Sequence, residues 1–332
     1  AARQDSAASV AAMEGARLLI ASEVGRLYFT LRAAEERLRI LQSLVAAQRQ
    51  TVLHTQSRLR EGLASAFDLD RASAEADALD AQLPPLRMLV GTTQAKLAVL
   101  LGRSPSSTLV PADPDYRWPS IRPIAPGQPA DLLRRRPDLV AAEAKVAAEM
   151  LRAEEARAQW WPKLFLTALL GRQDLSLNGL DLAPVHFSNV ALALAAPLFN
   201  AGRIDAGIQA QSARAEEALL AWQKSILVAL QEVEDSLLVR TQEAERIHAL
   251  NATITHRRKA LQRAESLHRE GQIDLLALLD VQRSVLASEL ALSEGRLQQA
   301  LADVQLYKAL GGGLTPVPAV ASITSDRVRS PQ

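Results

Sequence analysis

Residues 203–269 read RIDAGIQAQSARAEEALLAWQKSILVALQEVEDSLLVRTQEAERIHALNATITHRRKALQRAESLHR. The run holds no proline and a single glycine, Gly207. A series at period seven runs Leu219, Ile226, Val233, Arg240, Ile247, Ile254, Leu261, and only Arg240 breaks it. A sustained seven-residue period is the mark of coiled-coil packing. At 1.5 Å per residue such a helix spans roughly 100 Å, longer than any compact domain requires.

Working outward, the same landmarks recur upstream. Arg60-Glu61-Gly62 returns as Arg269-Glu270-Gly271, Glu23-Val24 as Glu232-Val233, and Leu101-Gly102 as Leu310-Gly311, each at a shift of 209. Short matches sharing one offset point to an internal duplication. The shifted series in the first copy is Val10, Arg17, Val24, Leu31, Leu38, Val45, Val52, Leu59. Each long helix stops at a glycine, Gly62 or Gly271, and a second helix returns. Asp274 is the expected N-cap of the second return helix, and Ser65 or Asp68 of the first. The return helices end near Gly102 and near Gly311-Gly312-Gly313, where a C-cap explains the glycines. Each copy is therefore a long antiparallel helical hairpin.

The region between the copies is different. Seven of the 16 prolines fall in residues 103–130 (Pro105, Pro111, Pro114, Pro119, Pro123, Pro126, Pro129), a non-helical connector. Pro137-Asp138 then opens a helix that runs to about Gln159. Two strands are expected after it, about 163–172 and 190–198. In the second, Val190, Leu192, Leu194 and Leu198 alternate with Ala191, Ala193 and Ala195. The length suits a tilted transmembrane β-strand, and Trp160 and Trp161 stand where an interfacial aromatic belt would be. A hairpin packed on helices in a soluble protein fits the same pattern. The loop 173–187, with Asn178, Gly179 and Pro184, is the turn. The expected divisions are 1–102 (first helical hairpin), 103–136 (proline-rich connector), 137–202 (helix and strand hairpin), 203–313 (second helical hairpin) and 314–332 (tail).

Composition narrows the function. Across 332 residues, 38 Lys+Arg balance 37 Asp+Glu, which argues against a nucleic-acid binder. Cysteine is absent, so disulfides, thiolate metal sites and cysteine nucleophiles are excluded. No apolar run of signal-peptide type opens the chain, and no stretch reaches the length of a transmembrane helix. The five histidines, His54, His186, His248, His256 and His268, show no metal-ligand spacing and read as helical surface residues. No Gly-x-Ser-x-Gly, phosphate loop or HExxH occurs. No catalytic residue, metal or cofactor is therefore expected. Arg134, Arg135 and Arg136 could form an anion patch, but in a charge-balanced chain they read as a structural anchor toward carboxylates such as Glu143.

Four stretches carry a resemblance. These are Leu132-Leu133-Arg134-Arg135-Arg136-Pro137-Asp138-Leu139-Val140-Ala141-Ala142-Glu143, Trp161-Pro162-Lys163-Leu164-Phe165-Leu166-Thr167-Ala168, Pro197-Leu198-Phe199-Asn200-Ala201-Gly202-Arg203, and Gly271 to Ser284. Together they resemble the TolC/OprM-like outer-membrane efflux proteins, of the NodT-type lipoprotein branch, from Ala1 to about Gly312. The resemblance implies a mainly α fold with a small β part. In it, duplicated long antiparallel helical hairpins form an α-barrel, and two strands contribute to a transmembrane β-barrel in a homotrimer. Against the family pattern the chain reads as N-terminally truncated. The implied function is passive export through the outer membrane of a Gram-negative bacterium into which the strands insert, with the helices reaching into the periplasm. Implied partners are a periplasmic adaptor (membrane fusion) protein and an inner-membrane pump, with no nucleic acid and no cofactor. Asp280 near the second tip is the implied pore-gate residue, with Arg283 at i+3, and Asp274 and Asp70 as weaker candidates. Arg135, Arg136, Pro137, Asp138, Glu143, Gly62 and Gly271 are implied structural motif residues. Where the family often places an aromatic before the tip glycine, this chain has His268 and Arg269. The rival readings are a periplasmic coiled-coil adaptor, which lacks its lipoyl-like and β-barrel domains here, and a soluble scaffold, which leaves the strand pair unexplained.

Overall fold

The structure is a computed structural model that describes residues 1–107, 110–111, 113, 116–119, 135–173, 176–177, 180–181 and 185–312. In chain order the elements are α1 (Ala2–Arg60), α2 (Ala66–Asp80), α3 (Leu83–Leu100), α4 (Pro137–Ala158), β1 (Lys163–Gln173), β2 (Ser176–Leu177), β3 (Leu180–Asp181), β4 (Val185–Ala195), α5 (Arg203–Arg269) and α6 (Leu275–Ala309). No described helix is long and apolar enough to cross a membrane. Most of the connector, Arg134 before α4, Asn178, Gly179 and Pro184 of the turn, and the tail with Gly313 lie outside the described residues.

The chain divides into two compact units. One comprises Ala1–Met13 and Pro137–Leu227. Here α4 buries Leu139, Ala144, Val146, Ala148 and Ala153. Arg152 of α4 joins Asp5 of α1 at 2.7 Å, and Gln211 of α5 donates to Glu149 at 3.2 Å. β1 and β4 pair antiparallel from Lys163↔Ala195 to Gln173↔Val185. The second strand thus lies earlier than the expected 190–198. Pro197 lacks the N–H a ladder needs. The strand's first half carries His186, Ser188 and Asn189, which hide the apolar alternation. Gly171 sits beneath the Phe187 ring, which occupies the space a Cβ would need.

The other unit comprises Glu14–Arg136 and Val228–Gln332. Its contacts run from α3 to α1, from α1 to α6 and from α6 to α5. Leu41 and Val45 of α1 form a core with Leu79 and Leu83 at the α2–α3 junction. Gly25 of α1 packs against Val304 of α6, where Arg296 also donates to Glu36 at 3.0 Å. Gly295 of α6 meets Ile247 of α5. Within this unit the series of α5, from Val233 to Leu261, is buried or half-buried throughout. Its one charged member, Arg240, is held by Asp303 at 2.9 Å, so the interruption in the pattern is an ion pair inside the seam. In α1 the series holds only from Val24 onward, since Val10 and Arg17 are exposed.

The duplication extends to single hydrogen bonds. Gly62 and Gly271 adopt φ of 74° and 73°. Leu63 N donates to Arg58 O and Gln272 N to Leu267 O, each at 2.8 Å. Ser65 and Asp274, again 209 apart, are the N-caps of α2 and α6. The copies differ at Pro84-Pro85. Their missing N–H groups divide the first return helix into α2 and α3, whereas α6 runs unbroken for 35 residues. What is described of the connector clasps α1. Arg32, buried, lies 5.2 and 5.0 Å from the Tyr28 and Tyr116 ring centres and donates to Pro111 O at 3.1 Å. Trp118 Nε1 donates to Glu36 at 3.2 Å. Burial pushes the Tyr116 phenol up to about 12.

Candidate functional site: the paired hairpin tips

The two tips meet through an apolar patch of Ala72 of α2 with Leu275 and Leu279 of α6, joined by Val52 of α1. Polar ties surround it. Gln48 Nε2 donates to Ala72 O at 3.1 Å, buried. Arg257 Nη1 donates to Ser284 O at 2.6 Å and to Ser288 Oγ at 2.5 Å. Arg58 Nη1 donates to His268 O at 3.3 Å, from the end of α1 to the end of α5.

The strongest tie is ionic. Arg283 of α6 donates through Nε to Glu75 Oε1 of α2 at 2.9 Å, and its Nη2 closes a second bond to Oε2. Such a two-pronged guanidinium–carboxylate pair fixes orientation as well as distance. The Arg283 hydrogen bond, outweighing burial, holds the Glu75 carboxyl below its ordinary range, and Glu75 holds Arg283 above its own. Asp280 is a secondary partner, 3.9 Å from Arg283 Nη1, and its side chain is 63% exposed.

The tip residues anticipated from sequence therefore separate. Asp280 and Arg283 come together, with Arg283 committed mainly to Glu75. Asp274 is an N-cap, accepting from Ala277 N at 2.8 Å. Asp70 is exposed on α2. Glu75 was missed, because a partner on another hairpin leaves no periodic trace in one helix. His268, expected at the surface, is buried, because it occupies an inward position of the α5 series.

The motif before α4 is an anchor. Arg136 donates to Glu232 at 2.7 Å and to Ala309 O at 3.2 Å. Its carboxylate partner is thus Glu232, of the repeated Glu-Val landmark. Glu143 is exposed on α4. A guanidinium on a helix-terminal carbonyl also opposes the negative end of the α6 dipole. Gly311, at φ 82°, lies directly under the Arg135 carbonyl, 2.6 Å from where a Cβ would sit. Pro137 is the first residue of α4, and Asp138 lies in its first turn.

In the strand pair, Leu164, Leu166, Ala168 and Leu170 share a face with Leu194, Leu192, Val190 and Ser188. Leu166, Leu170, Val190, Leu192 and Leu194 are each at least 70% exposed. Trp160 and Trp161 are exposed just before β1. Among the described residues no other strand pairs with either edge of this sheet, and no three His, Cys, Asp or Glu side chains cluster as a metal site would require.

Comparison with known proteins adds the following. The family model described as outer membrane efflux protein matches residues 1–103 and 129–312. The outer membrane protein OprJ of Pseudomonas aeruginosa is 30% identical over 315 residues, covering 94% of this chain and 65% of the relative. The pyoverdine export outer membrane protein OpmQ of Pseudomonas putida is 35% identical over 302 residues, covering 90% of this chain and 63% of the relative. The chain thus spans less than two thirds of the length of these relatives. Among solved structures, a membrane protein from Pseudomonas aeruginosa superimposes with a TM-score of 0.86 at 29% identity, covering 94% of this chain and 70% of that one. The outer-membrane channel OprN superimposes with a TM-score of 0.84 at 28% identity and the same two coverages.

Proposed function

The chain belongs to the outer membrane efflux protein family, and on that premise we propose that it is the outer-membrane channel component of a tripartite efflux system. The observation that carries this reading is the β1–β4 pair. A sheet with five large aliphatic side chains bare on one face and two unpaired edges is unstable in water. It becomes stable when strands from other protomers close a barrel and lipid covers the apolar face. A homotrimer supplies those strands. The long helices then form the periplasmic duct, with a periplasmic adaptor and an inner-membrane pump as partners. Conduction needs no bond made or broken, and we assign the chain no catalytic step.

The duct is gated at the tips. Three copies of Asp280 around a closing pore favour cations and repel one another. Glu75–Arg283 ties the two hairpins of each protomer, and opening requires this tie to yield.

The test is membrane fractionation of the protein followed by electrophoresis without heating. An outer-membrane trimer is the expected result, abolished by Leu192→Arg on the bare face, where an arginine near mid-membrane costs about 2–4 kcal/mol. A protein recovered only as a soluble monomer or dimer would favour the scaffold reading.

A further inference from the structure

His268 is the one histidine of the five that is buried; His54, His186, His248 and His256 are all exposed. It occupies the inward seam of α5 at the point matched, 209 residues earlier, by Leu59. One copy of the repeat thus fills this place with a hydrocarbon and the other with a titratable ring.

Charged residues of both signs lie on the elements that converge here. Its Nδ1 is 3.2 Å from Ile273 O. A carbonyl only accepts, so Nδ1 carries the hydrogen. The His54 ring approaches edge-on, its centre 6.4 Å away. Arg58 donates to the His268 carbonyl at 3.3 Å and to Leu63 O at 3.5 Å, joining the end of α5 to the turn after α1. Arg60 and Arg269 end the two helices. Of the acids on the converging elements, Asp68 also faces Arg58, and Glu265 stands three residues before His268 on α5. Glu61 accepts from Ser57, Asp68 from Ser65, Glu270 from Gln272 and Asp274 from Ala277 N. The negative end of the α5 dipole, which would otherwise welcome an imidazolium, is met at the His268 carbonyl by Arg58.

We propose that His268 is a proton-operated latch between the two hairpin tips. Neutral, it fills the seam and anchors the turn at Ile273. Protonated, it puts a full charge at the seam position that the other copy fills with Leu59, and the tips part. A charged ring is hydrated only when the tips part, so protonation and tip separation favour each other. The latch needs only residues of one chain; its consequence for conduction rests on the channel reading.

The chain has no cysteine, so paired spin labels at Gln56→Cys and Gln262→Cys, two neutral exposed positions on α1 and α5, report tip separation cleanly. The distance is expected to be short and narrowly distributed at about pH 7.5, and longer and broader at about pH 5.5, on either side of the ordinary histidine range. His268→Leu, which copies Leu59, should keep the short distance at both pH values. His268→Gln, which keeps a donor toward Ile273 but cannot take up a proton, covers the case in which leucine packs badly. A wild-type distance that ignores pH, or a pH response that survives in His268→Gln, overturns the latch. Single-channel conductance of the same protein separates the two readings, since tips that part without added conductance leave the latch standing and remove the gate.

Discussion

At the residue scale, the repeat provides internal controls. Gly102 and Gly311 end equivalent helices at φ 69° and 82°, yet nothing lies near Gly102 where a Cβ would go, whereas Gly311 lies under the Arg135 backbone. Gly102→Ala should cost only the left-handed backbone penalty, about 1–2 kcal/mol. Gly311→Ala should cost clearly more, because backbone cannot move aside as a flexible side chain can. Urea unfolding of the two variants checks the difference, and equal losses would deny the Arg135 contact. Asp274 and Asp280 form a second contrast. Asp274→Ala should lower stability by about 0.5–2 kcal/mol through the lost cap and leave conductance alone. Asp280→Ala should leave stability nearly unchanged and make the closed pore leakier. Glu75 supplies a pH signature. Its folded-state affinity for protons is lowered by Arg283, so the pair's contribution is complete above the ordinary glutamate value of about 4.5. That contribution disappears as pH falls through the lower folded value. Glu75→Gln should flatten this acid limb of the stability curve, and an unchanged limb would mean the pair does not persist in solution.

At the element scale, the long helices were legible because a seven-residue period survives single exceptions. Arg240 interrupts the α5 series, but Asp303 faces it and the helix continues. The caps Ser65 and Asp274 and the glycine stops were legible for a local reason: each acts within four residues of its own position. The division of the first return helix could have been foreseen from Pro84-Pro85. The early half of β4 could not, since strand pairing there is set by β1 and not by alternation within β4. The site was less legible than the fold. Asp280 and Arg283 could be named from the tip motif, but Glu75 lies 208 residues away on another helix, and the burial of His268 depends on α1 packing beside it. Gly171 tests the strand register directly. Gly171→Val must displace the Phe187 ring and should loosen β1 from β4, seen as faster amide exchange across the pair, while exchange along α5 and α6 stays as it was.

At the scale of the whole molecule, the two parts of the chain mature by different rules. The helical hairpins find their partners within one protomer, so their formation should depend on temperature and not on concentration. Among the described residues the β1–β4 pair has no further strand on either edge, and in the proposed homotrimer strands from other protomers complete its sheet. Helix signal should therefore appear at a rate independent of dilution, whereas resistance of the strand hairpin to protease should appear faster as protomer concentration rises. Equal dilution dependence for both signals would mean that the strands are completed within one chain. In the proposed homotrimer the open edge thus fixes a reaction order: production of the finished assembly rises more steeply than in proportion to the supply of chains. A modest drop in synthesis would then be felt as a disproportionate drop in mature protein, an amplification built from nothing more than unsatisfied backbone.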